Sequence, residues 1–172
     1  MWHDAPMRTV YLLRHAKSSW DDSTLADHDR PLAPRGSNAV PLVADHMRSE
    51  GVVPEVVLCS TARRTRQTLA LLGDAIAADS DLRIESDLYS ASADTLVARL
   101  RELHDTVERV LVIGHNPGLE RLVWLLTRDR PAKFPTAALA TLDATIDRWI
   151  DLKPGSAQLT DFVRPRDLDA SR

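Results

Sequence analysis

Three short apolar runs constrain the fold of this chain more than any other feature of its sequence. They cover residues 9–13, 56–59 and 110–113, and each run is apolar on both faces. Such runs are typical of strands that lie buried in a parallel sheet. The segments between them carry apolar residues at helical spacing, as in residues 93–107. We therefore predict an α/β fold with a mostly parallel central sheet and helices on both of its faces.

The length of the chain predicts a single domain. It has 172 residues, of which 44% are hydrophobic and 27% are charged, and this is an ordinary balance for a globular protein. The apolar patterning runs from residue 7 to residue 163. We predict that residues 7–163 form the domain and that residues 1–6 and 164–172 are flexible ends.

Capping residues and alternation predict some of the remaining elements. Ser37 is expected to cap one helix, and Asn116 to cap another with Pro117 at its first position. In residues 139–143 and 148–152, apolar and polar residues alternate well enough to predict strands near an edge of the sheet.

Charge and hydropathy exclude several classes of partner. The net charge is −3, which argues against general nucleic-acid binding because that function usually needs a basic surface. The apolar run at residues 10–13 is too short for a signal peptide or a membrane span. We therefore expect a cytoplasmic protein with neither a nucleic-acid nor a membrane partner. The sequence sets no oligomeric state, and a monomer is compatible with it.

The single cysteine, Cys59, excludes a disulfide framework and any cysteine-based metal site. A cysteine phosphatase would need an arginine six positions after its cysteine, where this chain has Thr65. We therefore predict that Cys59 is a buried strand residue. The glycines also lack the spacing of a dinucleotide-binding or P-loop motif, so any phosphate is expected to be bound by side chains and helix ends.

Two histidines and several arginines directly follow the three apolar runs. Arg14 and His15 follow the first run, an arginine-rich turn follows the second, and His115 follows the third. Because the carboxyl ends of parallel strands meet at one edge of a sheet, we expect these side chains to lie close together. Arginine matches the oxygens of phosphate, and neutral imidazole can attack phosphorus. Two histidines beside arginines make a poor metal site, so we predict phosphoryl transfer with no metal and no cofactor.

Short motifs at these positions resemble those of one family. Residues 13–16 read L-R-H-A, residues 60–68 resemble S-x-x-x-R-A-x-Q-T, and residues 112–116 resemble a second-histidine motif. In this order they resemble the histidine phosphatase (phosphoglycerate mutase-like) superfamily. Further similarity to its small SixA-like phosphohistidine phosphatase branch lies in residues 14–18, 30–32, 35–36 and 134–136. The resemblance covers residues 7 to about 152 and implies a phosphoglycerate mutase-like fold.

The resemblance also implies a role for each candidate residue. His15 would be the nucleophile that becomes transiently phosphorylated, and Arg14, Arg64 and His115 would bind the phosphoryl group. We expect activity to fall at acid pH as His15 is protonated, near the ordinary range of histidine. The neighbouring arginines should lower its pKa.

Arg64 has two rivals in the arginine-rich turn, Arg63 and Arg66. Only Arg64 stands three residues before Gln67, as the motif requires. We therefore expect the other two arginines to be solvated charges on a helix.

No motif fixes the proton donor. Larger relatives take a carboxylate from the segment before the second histidine, where this chain has Glu85 and Asp87. Asp21 and Asp22, in the long polar stretch after the first run, are the alternatives. We retain all four as candidates.

These observations favour a metal-independent phosphatase with a phosphohistidine intermediate that acts on phosphohistidine in a protein. One alternative is a phosphatase of small phosphoesters, such as sugar or nucleotide phosphates, with the same pocket. Another is a non-catalytic module that binds phosphorylated domains, against which the presence of all four pocket residues argues.

Overall fold

The computed structural model describes residues 5–131 and 133–169, and within them six strands form one sheet. The strands are β1 (Arg8–Arg14), β2 (Val56–Ser60), β3 (Asp81–Glu85), β4 (Arg109–Gly114), β5 (Leu139–Ala144) and β6 (Ala157–Val163). The helices are α1 (Pro34–Ser49), α2 (Arg63–Leu72), α3 (Ala93–Arg101), α4 (Gly118–Thr127) and α5 (Pro165–Asp169). Short 3-10 turns occupy Asp27–Asp29, Gly73–Ala75, Ser86–Leu88 and Trp149–Asp151.

The strand order is β3-β2-β4-β1-β5-β6. The first four strands of this order are parallel to one another, whereas β5 is antiparallel to β1 and β6 to β5. The sheet is thus mostly parallel, and this confirms the predicted fold class. The three apolar runs became β1, β2 and β4, which lie side by side in the sheet.

Helices cover both faces of the sheet because alternate strand residues point to opposite sides. Leu12 and Val112 face one side, where they share a core with α3 and α4. Leu13 and Ile113 face the other side, where they pack with α1 and α2. The central residues of these strands are therefore apolar on both faces. None of the helices in the described part of the chain is long and apolar enough to cross a membrane.

Two helix starts differ from the prediction. The first helix begins at Pro34 rather than after Ser37, because proline suits the first turn, where its missing N–H is not needed. The helix after the second histidine begins at Gly118, so Pro117 rather than Asn116 is its cap. The Asn116 side chain still contributes, since its Oδ1 accepts a hydrogen bond from the backbone N–H of Glu120 at 3.3 Å.

Residues 148–152 were wrongly predicted to be a strand. They contain a 3-10 turn, because Trp149 is fully buried and its Nε1 donates to the carbonyl of Val107 at 2.8 Å. The edge strand beside β5 is instead β6.

The C-terminal segment also differs from the expected unstructured tail. Residues 165–169 form α5, whose Leu168 packs against the core beside α1. Residues 1–4 and 170–172 of the predicted flexible ends lie outside the described residues.

Candidate active site

The fold brings the four predicted pocket residues together. Arg14 ends β1 and His15 follows it, His115 follows β4, and Arg64 lies in the first turn of α2 after β2. All four line one pocket of about 470 Å³ at the carboxyl ends of these parallel strands. Ligands of open α/β sheets bind at this edge.

The ring of His15 is oriented by the chain next to it. Its side chain is buried, and Nδ1 lies 2.7 Å from the carbonyl oxygen of Ala16. Because a carbonyl only accepts hydrogen bonds, Nδ1 carries the proton of the neutral ring and Nε2 carries the lone pair. The neutral ring therefore has a nitrogen that can attack an electrophile.

Burial and nearby positive charge keep both pocket histidines neutral at physiological pH. Burial is the larger cause for His15 and lowers its pKa to about 3, with further contributions from His115, Arg64 and Arg14. The pKa of His115 is lowered to about 4, and burial is the largest cause and the charge of Arg64 the second. His15 is thus protonated only at pH values well below the ordinary histidine range. We had expected the loss of activity at acid pH to occur near that range. The two rings lie close, with centroids 5.2 Å apart.

His115 lies between Ser60 and Arg64. Its Nε2 is 2.8 Å from the Ser60 hydroxyl, which also accepts a hydrogen bond from the backbone N–H of Ala62 at 3.2 Å. Its Nδ1 is 3.4 Å from Nη2 of Arg64. Ser60 is fully buried at the end of β2, so it holds the His115 ring against the pocket.

The two pocket arginines have different surroundings. Arg14 donates from Nη1 to the carbonyl of Phe134 at 3.0 Å, and its buried Nε has no hydrogen-bond partner among the described residues. Burial, and to a smaller extent Arg64, lowers the pKa of the Arg14 guanidinium. Arg64 is buried and donates from both terminal nitrogens to Asp27.

The rivals of Arg64 lie outside the pocket. Arg63 and Arg66 are exposed on α2, and the Arg66 side chain donates to the carbonyl of Thr61 at 3.0 Å. Cys59 is buried within β2, and this burial raises the pKa of its thiol to about 12. Its predicted place as a buried strand residue is confirmed.

None of the four candidate proton donors lines this pocket among the described residues. Glu85 forms a two-pronged ion pair with Arg99, with Nε–Oε2 and Nη2–Oε1 distances of 2.7 Å. Asp87 lies in the turn Ser86–Leu88, and Asp21 is exposed in the long loop. Asp22 is also exposed and accepts hydrogen bonds from Thr24.

A different carboxylate, Asp27, lines the pocket and was missed by the sequence analysis. It accepts hydrogen bonds from Arg64, Arg30 and the Tyr89 hydroxyl. The Tyr89 hydrogen bond is the largest cause that holds the pKa of Asp27 well below its usual range. The one sequence signal for Asp27 is its place three residues before the R-P-L segment at residues 30–32. Tyr89 follows the turn after β3 and carries no such signal.

The described residues contain no group of three or more His, Cys, Asp or Glu side chains that could hold a metal ion. The charges in the pocket instead suit an anion. Arg14, Arg30, Arg64, Arg121 and Lys17 line it, against the single carboxylate of Asp27 among the described residues. Arginine side chains of this kind match the oxygens of a phosphate group.

Comparisons with known proteins agree with this geometry. The family model described as "Histidine phosphatase superfamily (branch 1)" matches residues 10–92. An uncharacterized protein of Mycobacterium tuberculosis is 38% identical over 164 residues, which is 90% of this chain and 100% of the relative. The phosphohistidine phosphatase SixA of Escherichia coli K12 is 32% identical over 136 residues, covering 77% of this chain and 83% of that protein. The solved structure of the protein histidine phosphatase SixA complexed with tungstate superimposes with a TM-score of 0.79 at 29% identity, covering 93% of this chain and 99% of that chain.

Proposed function

Because the chain belongs to the histidine phosphatase superfamily and is a phosphatase of its SixA-like branch, we propose that it hydrolyses phosphohistidine in proteins. The reaction would proceed through a phosphohistidine on the enzyme and without a metal ion. The observation that carries this proposal is the orientation of His15. Its Nδ1 faces the carbonyl of Ala16, which leaves the lone pair on Nε2, and Arg14, Arg64 and His115 line the same pocket.

In the first step, Nε2 of His15 attacks phosphorus. A bond forms between Nε2 and phosphorus, and the bond between phosphorus and the leaving imidazole breaks. The leaving group takes up a proton, while Arg14 and Arg64 stabilise the charge on the phosphoryl oxygens. In the second step, a water oxygen bonds to phosphorus, the bond to His15 breaks, and inorganic phosphate and a proton are released.

The charge states in the pocket support a substrate whose leaving group needs little help. Asp27 is ionised, because Tyr89, Arg30 and Arg64 hold its pKa well below the usual range, so it has no proton to give. Imidazole takes a proton from solvent near neutral pH, whereas a sugar alkoxide needs a dedicated acid. A phosphohistidine therefore suits this pocket better than a phosphoester of an alcohol.

The cationic pocket also supports an anionic protein substrate. Lys17 and Arg121 line the pocket together with the phosphate-binding arginines. The segment between Arg64 and His115 consists of α2, β3, α3 and β4 with short connections, so it forms no separate lid domain. A histidine on the surface of another protein can approach a site of this kind.

The test compares kcat/KM for a phosphorylated histidine-containing transfer domain with that for a panel of sugar phosphates and nucleotides. We expect the phosphoprotein to be favoured by at least about tenfold, and His15→Ala to lower turnover by about a thousandfold or more. Trapped phosphoenzyme should be acid-labile and base-stable, as phosphohistidine is.

Two results would contradict the proposal in different ways. A small phosphoester preferred by about tenfold would refute the protein substrate and leave the pocket chemistry standing. Near-normal turnover of His15→Ala would refute the phosphohistidine intermediate.

A further inference from the structure

Both terminal nitrogens of Arg64 are engaged by a single residue, Asp27. Nη1 donates to the main-chain carbonyl of Asp27 at 2.8 Å, and Nη2 donates to its Oδ2 at 3.1 Å. The Arg64 side chain is only 8% exposed, so it has little freedom to find other partners. Asp27 thus accepts two of the hydrogen bonds that orient Arg64, and Nδ1 of His115 lies 3.4 Å from the same Nη2.

Asp27 is in turn fixed by its neighbours. Arg30 donates from Nη1 to Oδ1 at 2.8 Å, and Tyr89 donates its hydroxyl to Oδ2 at 2.5 Å. Arg30 is itself buried, and it also donates to the Ser18 hydroxyl and, from Nε, to the carbonyl of Ser19 at 3.1 Å. The carboxylate therefore has a defined position although its side chain is half exposed.

We propose that Asp27 is a positioning residue, which aims Arg64 at the transferred phosphoryl group. This inference rests on the proposed function, since it takes Arg64 as a phosphate-binding residue. In this role Asp27 makes no bond to the reacting atoms. It acts through the hydrogen bonds that it accepts from Arg64, and Arg30 and Tyr89 fix those acceptors in place.

Removal of the Asp27 charge distinguishes positioning from simple proximity. A carboxylate beside an oxyanion site repels the anion, so its loss alone would strengthen anion binding. If the carboxylate instead orients Arg64, its loss weakens anion binding, because the charged hydrogen bonds to the oxyanion become misaligned. The sign of the change decides between the two roles.

The variant to measure is Asp27→Asn, which keeps the side-chain shape and the main-chain carbonyl that Arg64 contacts. We expect the dissociation constant for tungstate, measured by calorimetry, to rise by about tenfold to a hundredfold. The value of kcat/KM for an aryl phosphate should fall by a similar factor. Asp29→Asn is the matched control, since it removes the same charge from an exposed position in the same turn. It should leave both quantities unchanged.

Tyr89→Phe tests the same role with a milder change. It removes one of the hydrogen bonds that fix Asp27 and leaves the charge in place. We expect a loss of about threefold in tungstate affinity, in a protein that unfolds at the wild-type temperature. This variant keeps the inference testable if Asp27→Asn folds poorly.

A double-mutant cycle shows whether Asp27 acts through Arg64. In an Arg64→Ala background, Asp27→Asn should change tungstate affinity by less than about twofold. An undiminished effect there, or unchanged or tighter tungstate binding by Asp27→Asn alone, would overturn the inference and leave the proposed function intact. A wild-type protein that neither binds tungstate nor turns over an aryl phosphate would overturn both.

Discussion

Acidification from pH 8 to pH 5 should destabilise the folded chain through its two pocket histidines. In the unfolded chain, histidine has a pKa of about 6.5. In the folded chain, burial and nearby positive charge lower the pKa of His15 to about 3 and that of His115 to about 4. Between these limits the unfolded chain binds more protons than the folded one, so the free energy of unfolding falls as the pH falls.

The size of this effect follows from the two pKa values. At pH 5, each histidine would lower the free energy of unfolding by about 2 kcal/mol relative to pH 8, or about 4 kcal/mol together. The contribution of Asp27 has the same sign, because its pKa is also lowered in the folded state, but it acts at lower pH. That stabilisation is present above the unfolded pKa of about 4 and is lost only below it, so it hardly changes between pH 5 and pH 8.

The assay is urea unfolding at several pH values between 5 and 8, in buffers free of phosphate and other oxyanions. The wild type should lose about 4 kcal/mol over this range, and His15→Asn or His115→Asn should each lose about 2 kcal/mol less. His115 contributes to the lowered pKa of His15, so His115→Asn should also raise the pKa of His15. The double variant lacks both titrating groups and should lose the least. His104→Asn, at an exposed position, is the control. If His15→Asn, His115→Asn and the wild type depend on pH alike, the two histidines are not held neutral by the fold.

Two further predictions concern the thiol and the close packing of the long loop. Cys59→Ala should leave kcat/KM for an aryl phosphate within about threefold of the wild-type value, because burial raises the pKa of the thiol to about 12 and keeps it unreactive. Treatment of the wild type with EDTA should also leave kcat/KM within about threefold, since the proposed reaction uses no metal ion. A loss beyond about tenfold from either would reinstate a thiol or a metal ion. Gly36→Ala should lower the free energy of unfolding by about 2 kcal/mol or more in urea, since a Cβ there would lie 2.1 Å from the carbonyl oxygen of Lys17. Gly114→Ala is the control, because a Cβ at that position would have the Leu119 side chain as its nearest contact, at 3.6 Å. An equal loss of unfolding free energy in both variants would show that the Lys17 contact is not the cause.

The central sheet could be predicted from the sequence because β1, β2 and β4 are buried on both faces and so leave continuous apolar runs. The positions of His15 and His115 followed, since each residue comes directly after the strand that such a run forms. Residues 148–152 could not be assigned in this way. The segment mixes apolar and polar residues as an edge strand can, but its buried residues Trp149 and Leu152 lie three positions apart at a 3-10 turn. A pattern this short does not distinguish the two arrangements.

Asp27 could not be identified from sequence for a different reason. It is one of several aspartates in the polar stretch between β1 and α1, and its place three residues before Arg30 does not by itself indicate a role in the pocket. What distinguishes Asp27 is its contact with Arg64, which lies 37 residues further along the chain and belongs to another element of the fold. Contacts of this kind depend on how the loop folds back over the sheet, and local periodicity carries no information about that.

The charge states of the pocket residues, taken together, indicate which kind of substrate the pocket suits. At neutral pH His15 and His115 are uncharged, Asp27 is ionised, and the Tyr89 hydroxyl is engaged by Asp27, which raises its pKa. The pocket thus combines a nucleophilic nitrogen with permanent positive charge, and Asp27 holds no proton to donate. Such a site stabilises the phosphoryl group strongly and assists the leaving group weakly. This supports the proposed phosphohistidine substrate, whose imidazole accepts a proton from water, over an ester that must release an alkoxide.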